Sequence, residues 1–274
     1  MNRLTPIGED RLPLSGVRVM VTRARSQARE LVEKIEALGG EAYEFPLLKM
    51  VPPTDTGPLD YAIGRLDSFD WVMFTSVNGV RFFLERMRQL GVSPDRMTGL
   101  VAAVGPKTAA ELAKHGWTAD VIPSDYVAEG MLTALQGRLT PGQRVLLPRA
   151  DIARKTLPDE LRRMGLQVTE VDAYETVIDG ANAPEAAERL RRGEIDAIAF
   201  TSSSTVQHFT QVMAPYGLDG LLASVRIACI GPVTAETAKR LGLPVHAVAR
   251  EYTVDGLLQA LTANLGGDVH GTHI

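Results

Sequence analysis

Short apolar runs alternate with amphipathic stretches along the chain, and most of the runs end in a polar turn. VRVMVT (17–22) and RVLLP (144–148) lead into turns bearing Arg23 and Arg149. A helical pattern follows each and closes at Gly39-Gly40 or Gly165, since glycine most easily takes the conformation just past a helix end. EAYEFPLL (41–48) and LQVTEVDAYETV (166–177) come next as alternating, strand-like runs. DWVMFTS (70–76) and DAIAFTS (196–202) are continuously apolar, as strands buried on both faces are, and each enters a helix through Thr and Ser. LVAAVGP (100–106) and RIACIGP (226–232) predict another strand and turn; ADVIPS (119–124) and VHAVAR (245–250) predict final strands. EGMLTAL (129–135) and DGLLQAL (255–261) predict short amphipathic helices. Strands alternating with helices place the chain in the α/β class, with parallel sheets flanked by helices.

These runs come in pairs because the chain repeats itself, without a gap, at an offset of 126 residues (149 − 23 = 201 − 75 = 231 − 105). Thr75-Ser76 falls on Thr201-Ser202, Gly105-Pro106 on Gly231-Pro232, Thr108 on Thr234, Tyr126 on Tyr252 and Gly130 on Gly256. Between 98–135 and 224–261 there are 11 identities in 38 positions. A period this long is a duplicated α/β half rather than a solenoid repeat, and two such halves commonly enclose a cleft. Two assemblies fit the period. In one, the halves exchange their first strand–helix–strand units. One lobe is then 15–46 with 180–265, the other is 54–172, and 47–53 and 173–179 are extended crossovers. In the other, each half is a lobe and the chain divides near Thr140-Pro141-Gly142. The termini, 1–14 and 266–274, are expected to be flexible.

Composition narrows the function. At 274 residues the chain can bury two full cores, and its 45% hydrophobic and 23% charged content is that of a globular protein. A net charge of −4 without a basic stripe argues against nucleic acid as a partner. No apolar run approaches the roughly 20 residues that span a bilayer, so no membrane role is expected. The single cysteine, Cys229, excludes an internal disulfide framework and sits in an apolar strand; with no signal-peptide pattern, a cytoplasmic location follows. His115, His208, His246, His270 and His273 have no metal-ligand spacing. Neither a Walker lysine loop nor G-x-G-x-x-G is present, and chain order suggests no Ser-His-Asp or Cys-His set, so neither metal nor nucleotide cofactor is expected.

The chemistry is therefore sought in the turns. Ligands of open parallel sheets gather at the carboxyl ends of the strands, where helix N-termini point. Thr75-Ser76 and Thr201-Ser202-Ser203-Ser204 offer hydroxyls and free N–H groups at helix starts; Gly105-Pro106-Lys107-Thr108 and Gly231-Pro232-Val233-Thr234 do likewise. Arg23 and Arg149 follow the first strand of each half and can reach the same edge, where guanidinium suits carboxylate or phosphate. Singly, each has a structural explanation: a helix cap worth about 1 kcal/mol, a turn, or a solvated arginine. Recurrence of the whole set in both halves favours an anion site.

Together RVMVTRA…LGGEAYEFPLL, FDWVMFTSVNGV, VAAVGPKTAAEL, VLLPRADIARKTLPDELRRMGLQVTEVDAYETV, IDAIAFTSSSTV and IACIGPVTAETAKRLG resemble the uroporphyrinogen-III synthase family, over about 15–262. The resemblance implies two flavodoxin-like lobes joined by two extended crossovers, which selects the exchanged assembly. It implies a cofactor-independent cyclising lyase of haem and sirohaem biosynthesis. Its substrate, hydroxymethylbilane, closes to uroporphyrinogen III with inversion of ring D and loss of water. A monomer receiving the bilane by hand-over from hydroxymethylbilane synthase is also implied. The substrate's eight carboxylates suit a repeated set of anion-binding turns. Carried over as substrate contacts are Thr75, Ser76, Thr108, Ser202, Ser203 and Thr234, with Arg23 and Arg149 beside them. Tyr174 matches the family's crossover tyrosine and is the candidate general acid for departure of the hydroxyl. Its repeat partner is Leu48 (174 − 126), and one chemical event needs one unrepeated group. The bland alternative makes Tyr174 a packing aromatic at a hinge.

Two other functions suit the same features: a tetrapyrrole-sensing module that converts nothing, and a two-lobed binder of a small anion. Only formation of isomer III separates a synthase from both.

Overall fold

The computed structural model describes residues 12–266. Expectations placed on 1–11 and 267–274, including His270 and His273, lie outside the described residues. At the amino end of the described chain, Leu14 is fully buried and its N–H donates to the Leu38 carbonyl.

β1 (Arg18–Val21), α1 (Arg25–Ala37), β2 (Glu41–Glu44) and β3 (Leu48–Val51) open the fold. Next come α2 (Gly57–Gly64), β4 (Trp71–Phe74), α3 (Val77–Gln89), β5 (Leu100–Ala103), α4 (Pro106–Ala113) and α5 (Ala128–Leu135). β6 (Arg144–Ala150), α6 (Thr156–Arg163) and β7 (Gln167–Ile178) follow. The remainder is α7 (Ala183–Arg191), β8 (Ala197–Phe200), α8 (Ser203–Met213), α9 (Leu218–Leu221), β9 (Arg226–Cys229), α10 (Pro232–Arg240), β10 (Ala247–Val248) and α11 (Val254–Gly266). Among the described residues no helix is long and apolar enough to cross a membrane.

The chain divides into two compact units, one from Met50–Val177 and one from the chain up to Lys49 together with Ile178 onward. The discontinuous unit has the strand order β10-β9-β8-β1-β2, paired in parallel, with Val19 opposite Ala197 joining the two halves of the sequence. The continuous unit has the order β3-β7-β6-β4-β5, and Trp71 opposite Val145 joins the halves again. Both therefore show segment exchange. Numbered by repeat position, both follow the flavodoxin-like order 2-1-3-4-5; the continuous unit starts at its third strand, and a single bridge, Ala102 to Val121, takes the fifth place. The strand order reverses between β1 and β8 in one unit and between β6 and β4 in the other. Such reversals open a crevice at the carboxyl ends of the strands.

The continuous apolar runs form strands because both faces are covered. Val72 and Phe74 pack with α2, α3 and α4, while Trp71 and Met73 pack with α5 and α6. Ile198 and Phe200 divide from Ala197 and Ala199 in the same way. Each large side chain so buried contributes about 2 kcal/mol.

Three elements differ from the sequence pattern. EAYEFPLL is interrupted, since Pro46 has no N–H to donate and Phe45 and Leu47 turn into the core. ADVIPS keeps only the Val121 bridge before Pro123, and VHAVAR keeps two strand residues. LQVTEVDAYETV, by contrast, keeps its length as one twelve-residue strand, β7, which lies beside β3 in the sheet order.

Candidate functional site

In the continuous unit, the carboxyl ends of β4 and β6 flank the strand-order reversal. Ser76 caps α3: its Oγ accepts from the Gly79 N–H at 3.0 Å. The same Oγ lies 3.3 Å from the phenol oxygen of Tyr174. Two residues singled out in the sequence 98 positions apart thus meet. The Tyr174 ring is 8% exposed and stacks on Phe82 with centroids 5.4 Å apart and 23° between the planes.

A register shift puts the tyrosine there. Arg149 pairs with Asp172, but Ala150 pairs with Tyr174, so Ala173 is an extra residue on β7. Side chains alternate along a strand, and one inserted residue turns all later positions over. Without it, Tyr174 would face away from Val171, which packs in the α3 cluster. With it, Tyr174 joins the α3 face and reaches Ser76. The strand then continues into the stretch where Glu175 accepts from the Thr54 N–H at 2.7 Å and hydroxyl at 2.9 Å.

Arg149 is only 5% exposed. It donates to Glu170 at 2.9 Å and to the Arg154 carbonyl. Glu170 also accepts from Lys155 and Arg162. Burial works to raise the Glu170 carboxyl, but hydrogen bonds from Lys155 and Arg162 and the charge of Arg149 outweigh it, so it stays below its ordinary value. Arg149 also lines a pocket of ≈ 190 Å³ with Thr75, Tyr126 and Arg154. Thr75 is exposed there, and the exposed Arg154 side chain has no acidic partner among the described residues.

Thr108 occupies the first turn of α4, behind the N-cap Gly105. It is 6% exposed, and its hydroxyl has no hydrogen-bond partner among the described residues. Thr234, 5% exposed in the first turn of α10, is alike. The other buried threonines find carbonyls, Thr205 that of Ser202, Thr237 that of Val233 and Thr22 that of Ala199.

In the discontinuous unit, Arg23 and Ser202 flank the reversal between β1 and β8. Arg23 is half-buried, with no ion pair among the described residues. Ser202 caps α8 through the Thr205 N–H at 3.3 Å. Its neighbour Ser203 donates to the Val233 carbonyl at 3.2 Å and lies 3.1 Å from the Thr237 hydroxyl, tying the starts of α8 and α10 together. The richer hydroxyl content of FTSSST is therefore largely bonded within the turn, as Ser202 to Ser204 at 3.0 Å also shows. Cys229 is fully buried, and burial pushes its thiol up to about 11. Among the described residues no group of three or more His, Cys, Asp or Glu is placed to hold a metal ion.

Arg154 and the β7 register shift were not singled out in the sequence. Arg154 lacks a repeat partner of its own kind, and a single-residue shift leaves no mark in an alternating run. The exposed Tyr126 and Tyr252 did have a signal, since they coincide under the repeat.

A family model described as "Uroporphyrinogen-III synthase HemD" matches residues 29–259. The uroporphyrinogen-III synthase of Synechococcus elongatus is 36% identical over 253 residues, spanning 91% of this chain and 96% of that protein. The chain belongs to the uroporphyrinogen-III synthase family. A putative uroporphyrinogen-III synthase of Methanothermobacter thermautotrophicus is also 36% identical, over 91% of this chain and 99% of its own. The family's fold is seen in the crystal structure of uroporphyrinogen-III synthetase from Helicobacter pylori, at 18% identity and a TM-score of 0.52 over 91% of this chain and 99% of that one.

Proposed function

We propose that this protein is a uroporphyrinogen-III synthase, a cofactor-independent cyclising lyase of tetrapyrrole biosynthesis that takes hydroxymethylbilane as substrate. The observation that carries the reading is family membership at 36% identity over nine tenths of the chain. The chemistry follows from the substrate. The terminal C–O bond breaks, the hydroxyl takes a proton and leaves as water, and an azafulvene-type cation remains. The substituted α-carbon of ring D attacks that cation and forms a spiro-pyrrolenine. This fragments at the neighbouring methylene bridge, recloses with ring D inverted, and loses a proton. The balance is one bilane to one uroporphyrinogen III and one water.

The protein's part is chiefly to hold the bilane so that the substituted carbon, rather than the free end, lies at attack distance. Thr75, Ser76, Thr108 and Arg149 in one unit, and Arg23, Ser202, Ser203 and Thr234 in the other, serve as carboxylate contacts in this reading. Helix N-terminal amides and unbonded threonine hydroxyls support it. With a net charge of −4, the attraction is local to these edges. Tyr174 is the proton donor to the departing hydroxyl, held by Ser76 and Phe82. Action as a cytoplasmic monomer supplied by hand-over from hydroxymethylbilane synthase belongs to the same proposal.

The test is incubation with hydroxymethylbilane freshly generated by its synthase, followed by oxidation and separation of the isomers. Isomer III is expected in excess. Isomer I alone, matching the enzyme-free control, refutes the assignment.

A further inference from the structure

The repeat duplicates one arrangement that the turns do not account for. Tyr126 and Tyr252 are 60% and 68% exposed, yet each is held in place by two glycines. The first is the helix N-cap. A Cβ on Gly105 would lie 3.4 Å from the Tyr126 ring, and one on Gly231 would lie 3.1 Å from the Tyr252 ring. Each ring is therefore laid directly on the backbone at the start of α4 or α10. The second glycine is in the following helix. A Cβ on Gly130 would lie 2.1 Å from the Asp125 carbonyl oxygen, and one on Gly256 would lie 2.2 Å from that of Glu251. Only glycine lets the residue before each tyrosine pack so tightly, and that packing fixes where the ring emerges. Burial does not explain the arrangement, because the rings face solvent.

Their surroundings specify the ligand. Val127 follows Tyr126 in the chain and lines the same pocket, and Val233 lies two residues past Gly231 in the first turn of α10; they are 52% and 75% exposed. Three residues past the glycine that meets each ring is a first-turn threonine, nine-tenths buried, whose hydroxyl has no partner among the described residues. Helical side chains lean toward the helix N-terminus, so Thr108 and Thr234 lean toward the glycine each ring covers. An aromatic face, exposed aliphatic groups and an unbonded hydroxyl at a helix start match a flat, electron-rich ring with a short carboxylate arm.

We infer that Tyr126 and Tyr252 are pyrrole-stacking residues, one in each unit, with Thr108 and Thr234 receiving the carboxylate arm of the stacked ring. The inference rests on the tetrapyrrole reading above and adds two binding residues to it. Offset stacking of aromatic rings changes affinity by about 3- to 10-fold per ring. The tyrosines lie in separate units, so their effects combine as a product.

The test is anaerobic equilibrium binding of uroporphyrinogen III to wild type, Tyr126→Leu, Tyr252→Leu, the double Leu variant and the two Phe variants. Tyr61→Leu, altering an equally exposed tyrosine on α2, is the control. Each Leu variant should bind about 3- to 10-fold more weakly and the double variant about 10- to 100-fold, with Phe variants and the control within about 2-fold of wild type. With hydroxymethylbilane, the Leu substitutions should raise KM and leave kcat nearly unchanged, because stacking holds substrate and transition state alike. Leu variants that bind like wild type, or Phe variants as weak as Leu, overturn the inference even where the wild type makes isomer III. Isomer I alone from the wild type instead defeats the synthase assignment, while the binding comparison still decides the tyrosines. Slower amide exchange at 122–130 and 250–256 on adding uroporphyrinogen III to the wild type checks the same point without a variant; unchanged exchange there counts against it.

Discussion

Tyr174→Phe separates chemistry from packing, because the structure makes its two costs very different. The substitution keeps the ring on Phe82, 5.4 Å between centroids, and removes only the phenol oxygen. That oxygen's contact with Ser76 Oγ is long, 3.3 Å, and Ser76 keeps its bond from the Gly79 N–H. A neutral hydrogen bond contributes about 0.5–1.5 kcal/mol, and this one belongs at the lower end. The thermal midpoint should fall by only about 1–3 °C. Loss of a general acid costs about 10²- to 10⁴-fold in rate, or about 2.7–5.4 kcal/mol of barrier at 1.36 kcal/mol per decade. Single-turnover conversion of fresh hydroxymethylbilane, with the isomers resolved, measures the rate, and a melting curve measures the fold. A kcat within about 3-fold of wild type, with the midpoint shifted as above, would falsify the proton-donor role and leave Tyr174 a packing residue. The companion Ser76→Ala removes the α3 cap, at about 1 kcal/mol, and also frees the phenol, so its rate should fall with Tyr174 still present.

Two further predictions concern stability. Hydrogen bonds from Arg81 and Lys114 hold the Glu111 carboxyl down at about 2, well below its ordinary value near 4.5. A depressed carboxylate stabilises the fold above its unfolded pKa, and that contribution disappears as pH falls through the folded value. Glu111→Gln should thus lower the midpoint at pH 6–8, with the gap to wild type closing between about pH 4.5 and 2; a gap independent of pH excludes the ion cluster as its cause. Gly130→Ala places a Cβ 2.1 Å from a backbone oxygen, so the Tyr126 loop must move. A loss of about 1–3 kcal/mol is expected in chemical denaturation, against nearly none for Gly64→Ala, where no heavy atom lies within 4 Å and φ is not positive; equal effects refute the steric account.

The helix caps show how much of the site can be read locally. Ser76 and Ser202 accept from N–H groups three residues ahead, an interaction within one turn that Thr-Ser after an apolar run already implies. Gly105 and Gly231 before proline are equally local. Arg149 is different: its position after an apolar run suggests solvent, but Glu170, 21 residues on, and the Arg154 carbonyl take up two of its donors. Which partner an arginine finds depends on strand register, and no spacing rule supplies that.

The sequence by itself determined the strand–turn–helix units, their duplication at 126 residues and the hydroxyl- and glycine-bearing turns at the strand ends. These depend on burial periodicity and on contacts within a few residues. Only the tertiary structure decided that Ala173 is an extra residue opposite β6, that Tyr174 consequently turns to Ser76, and that paired glycines hold Tyr126 and Tyr252 out at the strand ends. Each of these depends on where separate segments come to rest against one another, to within a single residue of register or a fraction of an ångström of backbone approach. An apolar pattern tolerates a shift of that size; the packed fold does not.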